Sequence, residues 1–294
     1  MSRASSRDLA ERVNAWFEVA GRPLPWRDPA TSAWGILVSE FMAQQTQVSR
    51  VVPLWETWMA RWPTPADLAA APPAEAIRLW ANLGYPRRAL WLHRAAEELC
   101  ERHGGEVPND LDALLALQGV GPYTARAVLA FAFGESVPVV DTNTRRVIAR
   151  AVHGMPTALA PAASRDLADM AALLPWEREA ARAFNVSAME LGATLCRARD
   201  PQCGDCPIVD VCAWVCSGRP AAISVRPRTQ PKYEGSDRQA RGVILRSLRT
   251  NAHGVAVAEL SELVRPVPRF EAVLAGLVTD GLVVVTGGHA SLPY

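Results

Sequence analysis

The 294-residue chain is short of several things, and each shortage removes a class of explanation. Lys232 is its one lysine and every other basic residue is arginine, so no lysine amine before position 232 can form a Schiff base with a substrate. An excess of charge of either sign is missing. With 31 Lys and Arg against 30 Asp and Glu, the formal net charge is +1, and a nucleic-acid role must rest on the local placement of basic groups. No stretch approaches an unbroken membrane span, and the opening MSRASSRDLAERV has no apolar signal core, so a cytoplasmic location and no membrane partner are expected. Strand-like alternation is missing up to residue 195. What the chain does have is 49% hydrophobic residues, enough for a substantial core and room for two domains.

The most informative stretch runs from Leu117 to Val147, LQGVGPYTARAVLAFAFGESVPVVDTNTRRV. Gly119 and Gly121 separate two apolar helical runs, which predicts a tight helix-to-helix turn. Glycine suits such a turn because it permits positive φ and close backbone approach. The N–H groups opening the second helix lack partners within it and lie at its positive dipole end, making the turn a seat for phosphate. This is the pattern of a DNA-binding helix-hairpin-helix. Downstream, Asp141 follows Val137-Pro138-Val139-Val140 and precedes a helix carrying Arg145, Arg146 and Arg150. A carboxylate there can serve chemistry beside the hairpin, or can simply cap the helix.

Earlier in the chain, DLAERVNAWFEVA has helical period and is followed by a turn-rich loop presenting Arg22, Trp26 and Arg27. A second helix is expected from Ile36 through ILVSEFMAQQTQVSRVVPLW. Glu40 lies there between Leu37-Val38 and Phe41-Met42, where burial would raise its pKa and keep it protonated, as a general acid requires. The polar run Gln44-Gln45-Thr46-Gln47 follows. Short helices then alternate with Pro and Gly breaks. Trp55, Trp58, Trp62, Trp80 and Trp91 fall at helical spacing among leucines and are expected in the core. Tyr85, in a Leu-Gly-Tyr-Pro loop, is better placed for function.

Six cysteines in such a chain argue against a disulfide framework. Cys196, Cys203, Cys206 and Cys212 crowd together with six, two and five residues between them. Four thiolates on one loop suit a tetrahedral zinc or a [4Fe–4S] cluster, and the single C-x-x-C pair favours the cluster. Residues 217–233 are Pro- and Arg-rich and read as a linker. Beyond it, three helical stretches precede GLVVVTGGHASLPY, which alternates like a hairpin turning at Gly287-Gly288. That order is winged-helix-like, and ten basic against six acidic residues from Arg219 onward favour DNA mildly.

With these pieces in view, the chain resembles the helix-hairpin-helix DNA glycosylases that carry an iron–sulfur cluster, and within them the adenine DNA glycosylases of MutY type. The resemblance covers roughly residues 8–216. It is carried by Pro25-Trp26-Arg27, SEFMAQQTQV, NLGYPRRALWLH, GVGPYT, VDTNTRRVIAR and MELGATLC with its cysteine loop. It implies an all-α, two-lobed catalytic region over 1–216, with a six-helix lobe at about 30–137, a cluster lobe from 1–29 and 138–216, and a base-flipping cleft between them. The linker 217–233 and a small winged-helix-like α+β segment, 234–294, complete the expected organisation.

The implied activity is monofunctional removal of adenine mispaired with guanine or 8-oxoguanine in double-stranded DNA, by a nucleoid-associated monomer with a [4Fe–4S] cluster on the four cysteines. Glu40 matches the acid that protonates N7, and Asp141 the carboxylate that stabilises the cationic sugar. Tyr123 and Asn143 match supporting residues, with a lysine of lyase relatives replaced by Tyr123. Gln45 matches a wedge into the duplex beside Gln44, Thr46 and Tyr85 match contacts to the opposite guanine, and Arg22, Trp26 and Arg27 match groups near DNA and the adenine pocket. Two positions depart from the family: Ala43 stands where leucine is usual, and Val186 where a Glu or Gln would read the flipped adenine. The Nudix-like domain that senses 8-oxoguanine is replaced by the winged-helix-like segment. Two rivals remain: excision of mispaired thymine or uracil by the same fold, and a non-catalytic DNA-binding iron–sulfur regulator.

Overall fold

The computed structural model describes residues 3–221 and 232–294 and is predominantly helical. Residues 222–231 of the expected linker lie outside the described residues. The first helices are α1 (Arg3–Ala20), α2 (Ala33–Ala43), α3 (Val48–Arg61), α4 (Pro65–Ala69), α5 (Pro73–Trp80), α6 (Arg87–His103) and α7 (Leu111–Leu115). They are followed by α8 (Pro122–Phe133), α9 (Thr142–Ala151), α10 (Ala163–Ala171), α11 (Arg178–Thr194), α12 (Ala213–Cys216) and α13 (Asp237–Thr250). Strand β1 (Val255–Ala256), helices α14 (Val257–Leu263) and α15 (Val267–Thr279), and strands β2 (Val284–Thr286) and β3 (His289–Ser291) complete the order. No helix among the described residues is long and apolar enough to cross a membrane.

The chain forms two compact units. The first comprises Met1–Glu40, Asn109–Ala116 and Val120–Arg226, and within it α1 and α9 both pack on α11. Leu9 and Val13 of α1, Val147 and Ile148 of α9, and Phe184 and Leu191 of α11 share one buried core. Leu9 and Val13 are four residues apart, Phe184 and Leu191 seven, and Val147 and Ile148 lie four and three before the buried Ala151, so each set shares one helix face; burying each large side chain contributes about 1.5–3 kcal/mol. A smaller core of Ala127, Ala130 and Val139, flanked by Tyr123 and Met189, packs α8 against the extended segment that leads into α9.

The second unit comprises Phe41–Pro108, Leu117–Gly119 and Pro227–Tyr294. Helix α6 buries Ala89, Leu92, Ala95, Ala96 and Leu99, and its alanines let α4 and α5 approach closely. Trp58 meets Trp62 and Trp80 edge to face with ring centroids 4.7 and 5.7 Å apart, which confirms core placement for those tryptophans.

The single helix expected from Ile36 is in fact two. It stops at Ala43, Gln45 takes a left-handed φ of +56°, and α3 resumes at Val48. A continuous helix would carry Gln45 and Thr46 onto the face that Phe41 and Met42 bury, leaving polar groups without partners. At the C-terminus, α13 packs on α15, and three short antiparallel strands in the order β1-β3-β2 form the sheet. The expected hairpin pairs Val285 with Ala290. Ala290 is also opposite Val255 in β1, a two-residue strand too short to leave a periodic signal.

Candidate active site

The mostly apolar turns of α2 carry Glu40 inside the first unit. Leu37, Val38, Phe41 and Met42 are all completely buried, and Glu40 itself is 9% exposed. Burial raises its carboxyl to about 7, helped by the negative charge of Asp141 and opposed by a hydrogen bond with the Tyr123 hydroxyl. Burial, Glu40 and Asp141 together push Tyr123 well above its ordinary value, so the phenol keeps its proton. Tyr123 and Asp141, roughly eighty and a hundred residues further along the chain, therefore meet around one buried acid.

Asp141 reaches this point as the N-cap of α9. Its Oδ1 accepts the Thr144 N–H at 2.7 Å, and its Oδ2 accepts the Asn143 side-chain amide at 2.8 Å. The capping role weighed against a chemical one is thus real, and it fixes the carboxylate in place. Asn143 is oriented in turn by Arg146, which donates to Asn143 Oδ1 at 2.7 Å and to the carbonyls of Gly192 and Cys196, each at 2.6 Å. Residue 192 must be glycine, because a Cβ there would come within 2.7 Å of Asn143.

Among the described residues the extended segment before Asp141 has no strand neighbour. Asn185, fully buried on α11, substitutes for one: its side chain accepts the Val139 N–H at 2.9 Å and donates to the Val137 carbonyl at 3.0 Å. Sequence reasoning missed this residue, although an amide inside an apolar helix turn is a signal that a backbone partner is needed.

Arg22 and Arg27 converge on another residue that sequence reasoning missed. Glu190 is 1% exposed. Both of its oxygens are engaged, by Arg22 Nε and Nη2 (2.9 Å for the latter) and by Arg27 Nη2 at 2.8 Å. Burial alone would raise this carboxyl, but the hydrogen bonds and charge of the two guanidiniums outweigh it and hold the group below the usual range. An open cavity with about 980 Å³ of empty space is lined by Glu40, Ser39, Trp26, Arg27, Val186 and Met189 among others.

Other expected site residues lie in the second unit. Gln44, Gln45 and Thr46 occupy the break between α2 and α3, and the Thr46 hydroxyl bonds the Leu83 carbonyl at 3.3 Å, next to the loop that bears Tyr85. In the turn before α8, Gly119 has φ +80° and a Cβ would collide with Phe41 and Trp91 at 2.9 Å, so both reasons for glycine hold. At Gly121 neither does: it caps α8 with an extended φ of −96°, and a Cβ would meet nothing within 4 Å.

Cys196, Cys203, Cys206 and Cys212 are all free thiols and line one cavity under α9 and α12. Burial first, with the other three cysteines adding to it, pushes the Cys206 thiol up to about 11, so a bound cation favours its ionised form. Among the described residues no His, Cys, Asp or Glu group is close enough to hold a single metal ion. Four thiols around one cavity are the donor set of either a tetrahedral zinc or a multinuclear iron–sulfur cluster. Arg150, inward on α9, donates to Cys196 Sγ at 3.4 Å and lies 4.8 Å over the Trp214 ring.

A family model described as HhH-GPD superfamily base excision DNA repair protein matches residues 38–169. The adenine DNA glycosylase of Mycolicibacterium smegmatis is 52% identical over 274 residues, covering 92% of this chain and 91% of that protein. The adenine DNA glycosylase of Mycobacterium tuberculosis is 49% identical over 281 residues, with 95% and 91% covered. The solved structure of a thermostable thymine-DNA glycosylase matches at TM-score 0.65 and 25% identity, over 73% of this chain and 98% of that one. The predominantly helical fold with its helix-hairpin-helix is thus that of the glycosylases, and the chain belongs to the adenine DNA glycosylase family of the HhH-GPD superfamily.

Proposed function

We propose that the protein is a monofunctional base-excision repair glycosylase that extrudes adenine mispaired with guanine or 8-oxoguanine and hydrolyses its N-glycosidic bond. The observation that carries this reading is the Glu40 carboxyl at about 7, with a fixed carboxylate nearby. Glu40 donates its proton to N7 of the flipped adenine, the C1′–N9 bond breaks, and its electron pair leaves with the base. Asp141, held by Thr144 and Asn143, stabilises the positive charge left on the sugar. Water adds at C1′ and its proton returns to the depleted acid. The cavity lined by Trp26, Arg27 and Val186 receives the base, and Tyr123 keeps the Glu40 carboxyl oriented. With Tyr123 in place of a lysine and no lysine before Lys232, no Schiff base forms and strand cleavage is absent.

Gln45, Gln44, Thr46 and Tyr85 contact the duplex and the opposite base in this reading, and the open approach to Gly121 lets a phosphate reach the α8 N-terminus. Cys196, Cys203, Cys206 and Cys212 hold a [4Fe–4S] cluster, which would supply a structural clamp on the loop; Arg150 and Arg146 tie that loop to α9. Iron and sulfide near four each per chain are expected on analysis, and stoichiometric zinc would overturn the cluster assignment.

Duplexes with adenine opposite guanine, 8-oxoguanine or cytosine, incubated with protein and then treated with alkali, test the activity. Intact adenine strands overturn it. A second reading, excision of mispaired thymine, is favoured by the apolar Val186 in the cavity. Pyrimidines have no N7, so Glu40→Gln is nearly silent for thymine excision and severe for adenine excision.

A further inference from the structure

The turn ahead of helix α6 is held by three side chains of the second unit. The three carbonyls ahead of it, at Asn82, Leu83 and Gly84, each accept a side-chain hydrogen bond, from Arg50, Thr46 and Trp80 respectively. Tyr85 then takes a φ of +47°, a left-handed conformation unfavourable for a bulky side chain, while its ring stays 58% exposed. Arg88, only 7% exposed, donates to the Gln44 carbonyl and sits 4.5 Å from the Tyr85 ring centroid. Gln45 is also left-handed. Two strained residues on neighbouring loops thus share one support, and such strain persists only where the surroundings over-determine it.

The C-terminal domain grips the same turn from another side. Asp280, just after α15, accepts from Arg87 at 3.0 Å and from Arg241 of α13. The Arg87 guanidinium also lies 5.2 Å from the Trp91 ring. One turn along α6, Leu90 comes within 3.8 Å of where a Gly281 Cβ would be. Helix α15 and the β2–β3 ribbon, the elements a winged helix presents to DNA, carry little positive charge here, and the exposed Arg238 and Arg246 lie on α13 instead. On α15 Arg269 is paired with Asp237, and Glu271 is the exposed charge among the described side chains. Strands β2 and β3 carry neither Arg nor Lys.

We infer that the C-terminal domain braces the loop that reads the base opposite the excised one. Asp280 is a positioning residue: through Arg87 it fixes the first turn of α6, and that turn sets Tyr85 directly and Gln45 through Arg88. The inference rests on the proposed assignment of Tyr85 and Gln45 to the duplex.

The test uses full-length protein with Asp280→Asn, Asp280→Glu and Arg87→Met, the last keeping an apolar stem over Trp91. Two ratios are measured: single-turnover excision of adenine opposite 8-oxoguanine against guanine, and affinity for duplexes with the same two bases opposite a tetrahydrofuran abasic mimic. Asp280→Asn and Arg87→Met should change both ratios by about threefold to fivefold, the size expected of a partly exposed ion pair, and Asp280→Glu should keep the wild-type ratios. Equal losses on both duplexes, or unchanged ratios, overturn the brace. If wild-type protein excises no adenine, the proposed activity falls by itself. The affinity ratio then decides the brace: altered in the two disruptive variants it supports the inference, unaltered it overturns it.

Discussion

Glu40 and Glu190 are the same side chain at nearly the same depth, 9% and 1% exposed, in the same unit of the fold. Glu40 sits among apolar side chains with a tyrosine hydroxyl and a second carboxylate for company, and its carboxyl rises to about 7. Glu190 sits between two guanidiniums and its carboxyl falls. Depth alone therefore does not decide the protonation state of a buried acid: burial raises both carboxyls, and only Glu190 has cationic neighbours that outweigh it. One region keeps a proton ready for transfer at neutral pH, and the other joins α11 to the loop after α1 through a permanent ion cluster.

The comparison breaks most sharply through substitution. Glu40→Gln should lower single-turnover adenine excision by about 10²- to 10⁴-fold while the protein stays folded, because the amide preserves shape but has no proton to give. Retained excision would show that the raised carboxyl is a packing accident. Glu190→Ala should act on the other axis, costing roughly 3 kcal/mol of stability by chemical denaturation, because Arg22 and Arg27 lose their shared partner. A midpoint unchanged from wild type would remove the structural role given to the clamp.

The two acids also predict opposite stability slopes with pH. Glu40 has a folded value above its ordinary 4.5, so the stability it contributes is full below 4.5 and is lost as pH rises to about 7, roughly 3 kcal/mol across that window. Glu190 has a depressed value, so its contribution is present above the ordinary carboxylate range and disappears as pH falls through it. Relative to wild type, Glu40→Gln should therefore gain stability between pH 5 and 8, measured by urea unfolding across that range; a flat difference sinks the assignment. The smallest effect belongs to Tyr123→Phe. Losing the hydroxyl removes the bond that lowers Glu40, so the alkaline limb of the excision rate, which falls as Glu40 deprotonates near 7, should move to higher pH.

Much of the site was legible because its members are locally anomalous. Glu40 is an acid among four apolar neighbours, Asp141 ends an apolar run before a helix, and the cysteine spacing is compact. Glu190 and Asn185 carried no such mark. Glu190 looks like any helical glutamate in AMELGATLC, and its partners Arg22 and Arg27 are 168 and 163 residues away. The break after Ala43 was hidden for a related reason: helical propensity is local, whereas the need to keep Gln45 and Thr46 off a buried face appears only once that face is covered.

The sequence by itself determined the helical period, the two glycines, the four-cysteine loop and the presence of an acid in an apolar turn, since each is a property of neighbours along the chain. Which carboxyl keeps its proton, which arginine is taken by a carboxylate, and which segment braces the Tyr85 loop were decided only in the folded molecule. Those outcomes depend on charges and donors brought within a few ångströms by packing, and electrostatic interactions at that range follow distance in space, not separation in sequence.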